Sequence, residues 1–305
     1  MTPQITVVSG KGGTGKTTLT ALWGSMADRP VLVDADVDAS NLPLAYPHET
    51  REQHPFVGRD VAVVNEPLCK NCGVCARACR FDAFVQVEGQ FRVDPLACEG
   101  CTLCTLVCPL DAITMKPHVS GTWSVSETGF GPLVHAQLGI AEGNSGKLVT
   151  QVRRAGEKLA EERVAAVILV DGPPGIGCQT TAAMAGASLV VLVTEPSASG
   201  RHDMERLLSV TNRLGVPALV VLNKVDLAPA EEALIRNAVS RMGAEYAEYI
   251  GSVPFIQEVP GLLASGTLLS ECPRPLREAA EGLWKVILER ALVAERVQQG
   301  EPAHG

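Results

Sequence analysis

The chain has no run of 18 or more apolar residues, so nothing in it reads as a membrane-spanning helix. It has no excess of positive charge either. Lysine and arginine together number 26 against 34 aspartates and glutamates, for a net charge of −8. An acidic protein gains nothing from the counterion release that drives non-specific DNA binding, which argues against nucleic acid as a partner. No signal peptide is expected: the apolar start Ile5-Thr6-Val7-Val8 is too short for a signal core and runs straight into a glycine-rich loop, so it reads as a first strand. The expected compartment is the reducing cytoplasm, and the ten cysteines read as ligands before they read as disulfides.

What is present is enough for a full α/β core. The 305 residues are 46% hydrophobic, with room for one smaller attached module. Short β-type runs alternate with helical patterns. Ile5–Ser9 reads as a buried strand followed by a helix over Lys16–Ala27; Val31–Val33 is a second strand ending at Asp34, and Ala165–Val170 a third ending at Asp171. Leu189–Thr194 and Ala218–Leu222 follow, each after a helical stretch. Continuous apolar runs joined by helices predict an α/β fold with a mostly parallel sheet, covered by helices on both faces.

Between the second and third strands the composition changes. Residues 66–117 are rich in cysteine, carry Pro67, Pro95, Pro109 and Pro117, and lack long helical periodicity. They read as an inserted module, which assigns 1–65 and 118–305 to one discontinuous domain and 66–117 to another. Thr122–Glu127 and Leu133–Ile140 read as strands returning the chain to the sheet, and Arg274–Val297 as a C-terminal helix of mixed charge.

Residues 10–17 read Gly10-Lys11-Gly12-Gly13-Thr14-Gly15-Lys16-Thr17, with Thr18 next. The G-x4-G-K-T spacing, after a strand and before a helix, is that of a phosphate-binding loop. Its glycines let backbone N–H groups curl around phosphates, and the helix N-terminus adds a positive dipole end. Lys16 is expected at the β- and γ-phosphates and the Thr17 hydroxyl at Mg²⁺. Lys11 is not needed for the cradle and, taken alone, reads as a solvated charge.

Taken together, Lys-Gly-Gly-Thr-Gly-Lys-Thr-Thr over 11–18 resembles the deviant phosphate loop of the MinD/ParA/nitrogenase-iron-protein class of P-loop ATPases. The resemblance implies an ATP-dependent homodimer in which Lys11 reaches the partner's nucleotide and stabilises charge in phosphoryl transfer. It also assigns roles beyond the loop. Val33-Asp34-Ala35-Asp36 resembles switch I, with Asp36 orienting the attacking water beside Mg²⁺, while Asp34 reads as structural. Leu169-Val170-Asp171-Gly172-Pro173-Pro174-Gly175 resembles Walker B and switch II, with Asp171 holding Mg²⁺ through water and the turn after it sensing the γ-phosphate. Asn223-Lys224-Val225-Asp226 fits the base-binding position, with Asn223 on adenine. The same four residues match the guanine-reading pattern Asn-Lys-x-Asp, so the base is open on these residues alone, although the loop favours ATP.

Residues 69–108 hold two runs spaced C-x2-C-x2-C-x3-C. Cys69, Cys72, Cys75 and Cys79 recur 29 residues on as Cys98, Cys101, Cys104 and Cys108, and Asp82-Ala83-Phe84 recurs as Asp111-Ala112-Ile113. The doubling predicts two similar halves. Three thiolates at this spacing wrap one face of a 4Fe-4S cubane and a remote one closes it. Zinc is the rival, but four ligands satisfy zinc and eight exceed its need. The segment resembles a bacterial two-cluster ferredoxin. That resemblance implies one cluster on Cys69, Cys72, Cys75 and Cys108 and the other on Cys98, Cys101, Cys104 and Cys79. Cys108 precedes Pro109 as that pattern has it; Cys79 precedes Arg80, a departure that affects the exit turn and sets a cation beside a cluster.

Cys178 lies seven residues beyond Asp171, where nitrogenase iron proteins place a ligand of their intersubunit cluster, but no second cysteine accompanies it between 108 and 178. It reads as a small buried residue at a helix start. Cys272 shows no partner spacing. Leu276, Leu283, Trp284, Ile287 and Leu288 read as the core-packing face of the last helix, not a membrane anchor. Gly143-Asn144-Ser145-Gly146-Lys147-Leu148-Val149 also fits the family, with Lys147 a possible phosphate or partner contact.

The combined pattern resembles MinD-superfamily ATPases with an inserted α+β two-cluster ferredoxin-like domain. It implies ATP or ADP, Mg²⁺ and two 4Fe-4S clusters as cofactors, and a redox or cluster-accepting protein as partner. The leading reading is an ATPase that couples nucleotide state to electron transfer. The alternatives are a cluster-assembly or carrier ATPase and a redox-sensing positioning ATPase of the MinD/ParA type.

Overall fold

The structure, a computed structural model, describes residues 2–140, 142–143, 145–243 and 246–298; Asn144 of the 143–149 segment lies outside them. The chain opens with β1 (Gln4–Ser9), α1 (Lys16–Met26) and β2 (Pro30–Asp34), followed by β3 (His48–Val64). The cysteine-rich stretch contains α2 (Val74–Ala78), β4 (Phe84–Val87), β5 (Gln90–Val93) and α3 (Leu103–Val107). Then come β6 (Ile113–Thr128), β7 (Pro132–Leu138), α4 (Ser145–Arg163), β8 (Val167–Pro174), α5 (Cys178–Met184), β9 (Leu189–Thr194) and α6 (Ala198–Leu214). The chain ends with β10 (Ala218–Asn223), α7 (Pro229–Ser240), β11 (Ala247–Val253), α8 (Val259–Ala264) and α9 (Arg274–Gln298).

The nine-stranded sheet has the order β11-β10-β9-β1-β8-β2-β7-β6-β3. Every pairing from β11 to β7 is parallel. β6 and β7 are neighbours joined through only residues 129–131, a connection short enough only for antiparallel strands. The chain forms two compact units: one takes residues up to Gln53, Trp123–Gln137 and everything from Ser145, and the other takes His54–Thr122 and Leu138–Asn144.

In the first unit the core obeys the period of two that a strand imposes. Along β9, Val191 and Val193 join one cluster with Leu19 and Trp23 of α1 and Leu276, Leu283, Trp284 and Ile287 of α9. Val190 and Leu192 join the opposite cluster with Met184 of α5, Met204 and Leu207 of α6 and Ile235 of α7. Both faces are therefore apolar, which explains why these strands read as unbroken hydrophobic runs. The Trp23 indole Nε1 donates to the Ala280 carbonyl oxygen at 3.1 Å and satisfies the one polar atom of a fully buried ring. No helix among the described residues is long and apolar enough to cross a membrane.

Sequence reasoning left 48–64 without a strand. β3 is mostly exposed, carries charge on its open face and is punctuated by Pro55 and Gly58, so it offers neither an apolar run nor clean alternation. Cys178 also departs from expectation: it does start α5, but it is exposed, because Thr180, Ala183 and Met184 supply the helix's inward face.

The second unit repeats itself in backbone as well as sequence. α2 and α3 start at equivalent positions, each after a left-handed residue, Gly73 (φ 71°) or Thr102 (φ 65°). Asn71 pairs in this way with Gly100, and Asp82 with Asp111, all with positive φ. β4 and β5 form a two-stranded antiparallel sheet of their own. The small core gathers Val61, Ala62, Ala83 and Ile113 around Cys75, Cys98 and Cys104.

A pH response is built into the first unit. His135 Nε2 lies 2.9 Å from Ser126 Oγ, and its ring meets the edge of His48 with centroids 5.8 Å apart. Burial, with the neighbouring His48 adding to it, lowers the His135 pKa from 6.5 to about 4. The unfolded chain then binds this proton more readily than the folded one. The stabilisation is full above pH 6.5 and drains away as pH falls toward 4, by about 1–3 kcal/mol after allowance for partial solvent exposure. His135→Gln is expected to shrink the loss of Tm between pH 7 and pH 4; an unaltered loss by calorimetry would remove His135 as its source.

Candidate functional site

The residues expected to act on nucleotide stand toward the C-terminal ends of parallel strands: the loop after β1, Asp34 at the end of β2 and Asp36 just after it, Asp171 in β8, and Asn223 at the end of β10. This edge is where open α/β sheets bind ligands, since helix N-termini and unpaired loop amides converge there. Two glycines of the loop admit no side chain. At Gly15 (φ 88°) a Cβ would stand 2.1 Å from Asn223 Nδ2, and at Gly10 one would stand 2.3 Å from Asp203 Cβ.

Lys16 is buried. Its Nζ lies 2.8 Å from Asp171 Oδ1 and 3.9 Å from Asp36 Oδ2, and it donates to Thr17 Oγ1 at 3.3 Å. Thr17 Oγ1 donates to the other Asp171 oxygen at 2.7 Å, and Thr20 Oγ1 to Oδ1 at 3.2 Å. Lys16, Thr17, Asp36 and Asp171 are thus one constellation. Asp34 sits opposite Asp171 in the β2–β8 register and accepts from the Asp36 N–H, the Leu42 N–H and Ser40 Oγ. Those three bonds shape the turn that carries Asp36. Burial first, then the Asp171 carboxylate, pushes the Asp34 pKa up to about 7; burial pushes that of Asp36 up to about 6, against the pull of Lys16.

An open cleft is lined by Gly12, Gly13, Thr14, Gly15, Lys16, Thr17, Thr18 and Asp36, closed on its far side by Pro260, Leu263 and Ala264. The Thr14 hydroxyl is buried there without a hydrogen-bond partner. A second hollow is lined by Gly15, Thr18, Asn223, Lys224, Pro254, Phe255 and Ile256. Asn223 Nδ2 donates to the Thr14 carbonyl at 2.7 Å, and Asp226 Oδ1 accepts the Phe255 N–H at 2.6 Å. The 254–264 wall carried no sequence signal, because a proline-bearing loop followed by the six-residue α8 is too short to show a period.

Lys11 stands apart from the constellation. Its Nζ forms an ion pair with Glu195 and donates to Ser199 Oγ at 3.4 Å. Glu195 also lies 3.6 Å from Lys224 Nζ, which in turn donates to the Gly13 carbonyl at 2.7 Å. Sequence reasoning missed Glu195. Its available signal was position: it is the first charge after the fully buried β9, at the same strand edge.

In the second unit the eight cysteines surround two hollows. Cys69, Cys72, Cys75 and Cys108 line one; Cys79, Cys98, Cys101 and Cys104 line the other. Each hollow therefore takes three thiols from one run and the fourth from the other. Among the described residues, no three His, Cys, Asp or Glu side chains are gathered closely enough to hold a single metal ion; the thiols stand around the hollows instead. Backbone N–H groups donate to sulfur: Asn71 to Cys69, Ala62 to Cys98 and Ala112 to Cys108, at 3.3–3.5 Å. Burial raises the Cys75 and Cys104 thiol pKa values.

A glycine loop between β1 and α1, with a buried lysine facing an aspartate at the tip of a parallel strand, defines a P-loop nucleotide-binding protein. Residues 5–269 match the CobQ/CobB/MinD/ParA nucleotide binding domain, and the chain belongs to that family as a MinD/ParA-type P-loop ATPase. An uncharacterized protein of Methanocaldococcus jannaschii is 29% identical over 289 residues, spanning 94% of this chain and 96% of its own length. An uncharacterized ATP-binding protein of the same organism is 24% identical over 271 residues, spanning 85% and 75%. Among solved structures, the septum site-determining protein MinD of Pyrococcus horikoshii, complexed with Mg-ADP, aligns over 94% of this chain and 96% of its own at 18% identity and a TM-score of 0.55. The ATP complex of McdA from Cyanothece aligns over 95% and 96% at 16% identity and a TM-score of 0.57. These structures share the fold.

Proposed function

We propose that the chain acts as an ATP-dependent homodimer that couples its nucleotide state to electron transfer through two 4Fe-4S clusters, held by the 66–117 module, toward a partner protein. The observation that carries this reading is the pair of four-cysteine hollows with crossed membership, the arrangement two-cluster ferredoxins use. The N–H groups aimed at Cys69, Cys98 and Cys108 support it further, since such donors stabilise the negative charge of a ligating thiolate. When bound, the clusters would store and pass single electrons. The protein sets four thiols about each and lines them with Phe91 and Ile113 at the first hollow and Phe84 and Met115 at the second.

At the nucleotide cleft, the partnerless Thr14 hydroxyl and the Lys16 ammonium suit a phosphate, and Thr17, Asp36 and Asp171 suit Mg²⁺. Asn223 at the lip of the Phe255 hollow suits adenine. One oxygen of the Asp226 carboxylate is engaged by the Phe255 N–H, which favours ATP over guanine recognition. Lys11, at the surface and outside its own cleft, suits a role on the partner's nucleotide.

Anaerobic purification followed by iron analysis tests the reading. About eight irons per chain are expected, reducible and retained in the presence of an apo-acceptor protein. Transfer of a cluster to that acceptor on ATP addition would replace electron transfer with the carrier role, and an iron-free protein would end both.

A further inference from the structure

The two halves of the cysteine-rich repeat hold their thiols alike, yet differ where thiol geometry requires no difference. Cys72 and Cys101, at equivalent positions, are both exposed, and Cys75 and Cys104 are both buried. Each hollow is lined by one charged residue, again at equivalent positions, but of opposite sign: Lys70 at the first and Glu99 at the second. Beside the first, Arg77 Nη1 donates to the Cys72 carbonyl oxygen at 3.3 Å, which keeps the guanidinium at that rim. The equivalent of Arg77 is Leu106, which is 79% exposed. The first rim therefore carries two cations, whereas the second carries Glu99 and the apolar Leu106, with Arg80 following Cys79 on that side.

We propose that the rim formed by Lys70, Cys72 and Arg77 is the docking face for an acidic one-electron carrier protein. The inference rests on the reading that the thiols hold redox clusters. With a net charge of −8, the chain as a whole repels an acidic protein, so a local pair of cations around an exposed thiol ligand attracts it in one orientation. At the other rim Glu99 and Arg80 oppose each other, so the same carrier meets no net attraction there. Cys69, Cys72, Cys75 and Cys108 would hold the group that accepts one electron from the reduced carrier; the carrier would leave oxidised by one electron, with no covalent bond formed or broken. Arg80 is exposed too, but it follows Cys79, whose thiol lines the second hollow.

The test is isothermal titration of the full-length protein with an acidic flavodoxin, both oxidised, at ionic strengths of about 0.01 M and about 0.15 M, between which the Debye length falls from about 30 to about 8 Å. Wild type is expected to bind one flavodoxin per chain and to lose about tenfold or more in affinity across that range. Lys70→Glu with Arg77→Leu installs the residues of the second rim and is expected to weaken low-salt binding about tenfold or more and flatten the salt response. The converse pair, Glu99→Lys with Leu106→Arg, is expected to raise the stoichiometry from one toward two, and this gain is not produced by misfolding. Wild-type affinity in the first variant, unchanged stoichiometry in the second, or no binding at all overturns the assignment. Iron counted on the same samples separates this outcome from failure of the cluster reading, which would show as iron-free protein whatever the binding.

Discussion

Lys11→Ala is expected to lower ATP hydrolysis by about 10³-fold or more while leaving nucleotide affinity within a few-fold of wild type and iron content unchanged. The size follows from the cost of losing a cation that neutralises charge in phosphoryl transfer, as an arginine finger does. The selectivity follows from position. The Lys11 ammonium is absent from the cleft built by Gly12–Thr18 and is paired instead with Glu195 at the surface. An exposed pair of this kind contributes roughly 0–1 kcal/mol, so it leaves the lysine free to swing toward a partner subunit at little cost. Lys16→Ala should behave differently: its ammonium is buried against Asp171, and its loss should weaken nucleotide binding itself. Steady-state hydrolysis, paired with light scattering in the presence of a non-hydrolysable ATP analogue, distinguishes the two. A Lys11→Ala rate within a few-fold of wild type would falsify the trans-acting role.

The second large effect concerns the crossed thiol sets. Cys72→Ala with Cys108→Ala removes two thiols from one hollow and should leave one cluster intact, about four irons per chain. Cys101→Ala with Cys108→Ala removes one thiol from each hollow and should damage both clusters, taking intact four-iron centres toward zero. Two variants with the same number of lost thiols thus differ in this direction only if the ligands cross between runs. The reverse pattern, with the Cys101/Cys108 variant keeping one cluster and the Cys72/Cys108 variant losing both, would mean that each run serves its own cluster.

Much of the nucleotide edge was legible from local pattern. The loop glycines, Lys16 and Thr17 lie within one short run whose spacing is itself the geometry; Asp34 and Asn223 each close an apolar strand and Asp171 ends the apolar run of another, so chain order alone delivers them to one edge of a parallel sheet. The same reasoning read Leu276, Leu283, Trp284 and Ile287 as a core face, because helical spacing reports which side is buried. It failed for Cys178: a helix start says nothing about which way its first side chain faces, and burial there went to Thr180, Ala183 and Met184.

By itself, then, the sequence determined the α/β alternation, the phosphate loop and the doubled cysteine runs, because each is a short-range spacing that the chain carries wherever it goes. Tertiary structure alone decided what comes together from afar. It paired Lys11 with Glu195, 184 positions away and joined to it by no motif. It laid exposed β3 at the sheet's edge, where neighbouring strands and not hydrophobic alternation define a strand. It also set the Phe255 N–H on Asp226 Oδ1, 29 positions away. The physical reason is common to all three: such contacts depend on packing between segments distant in the chain, and no local period encodes them.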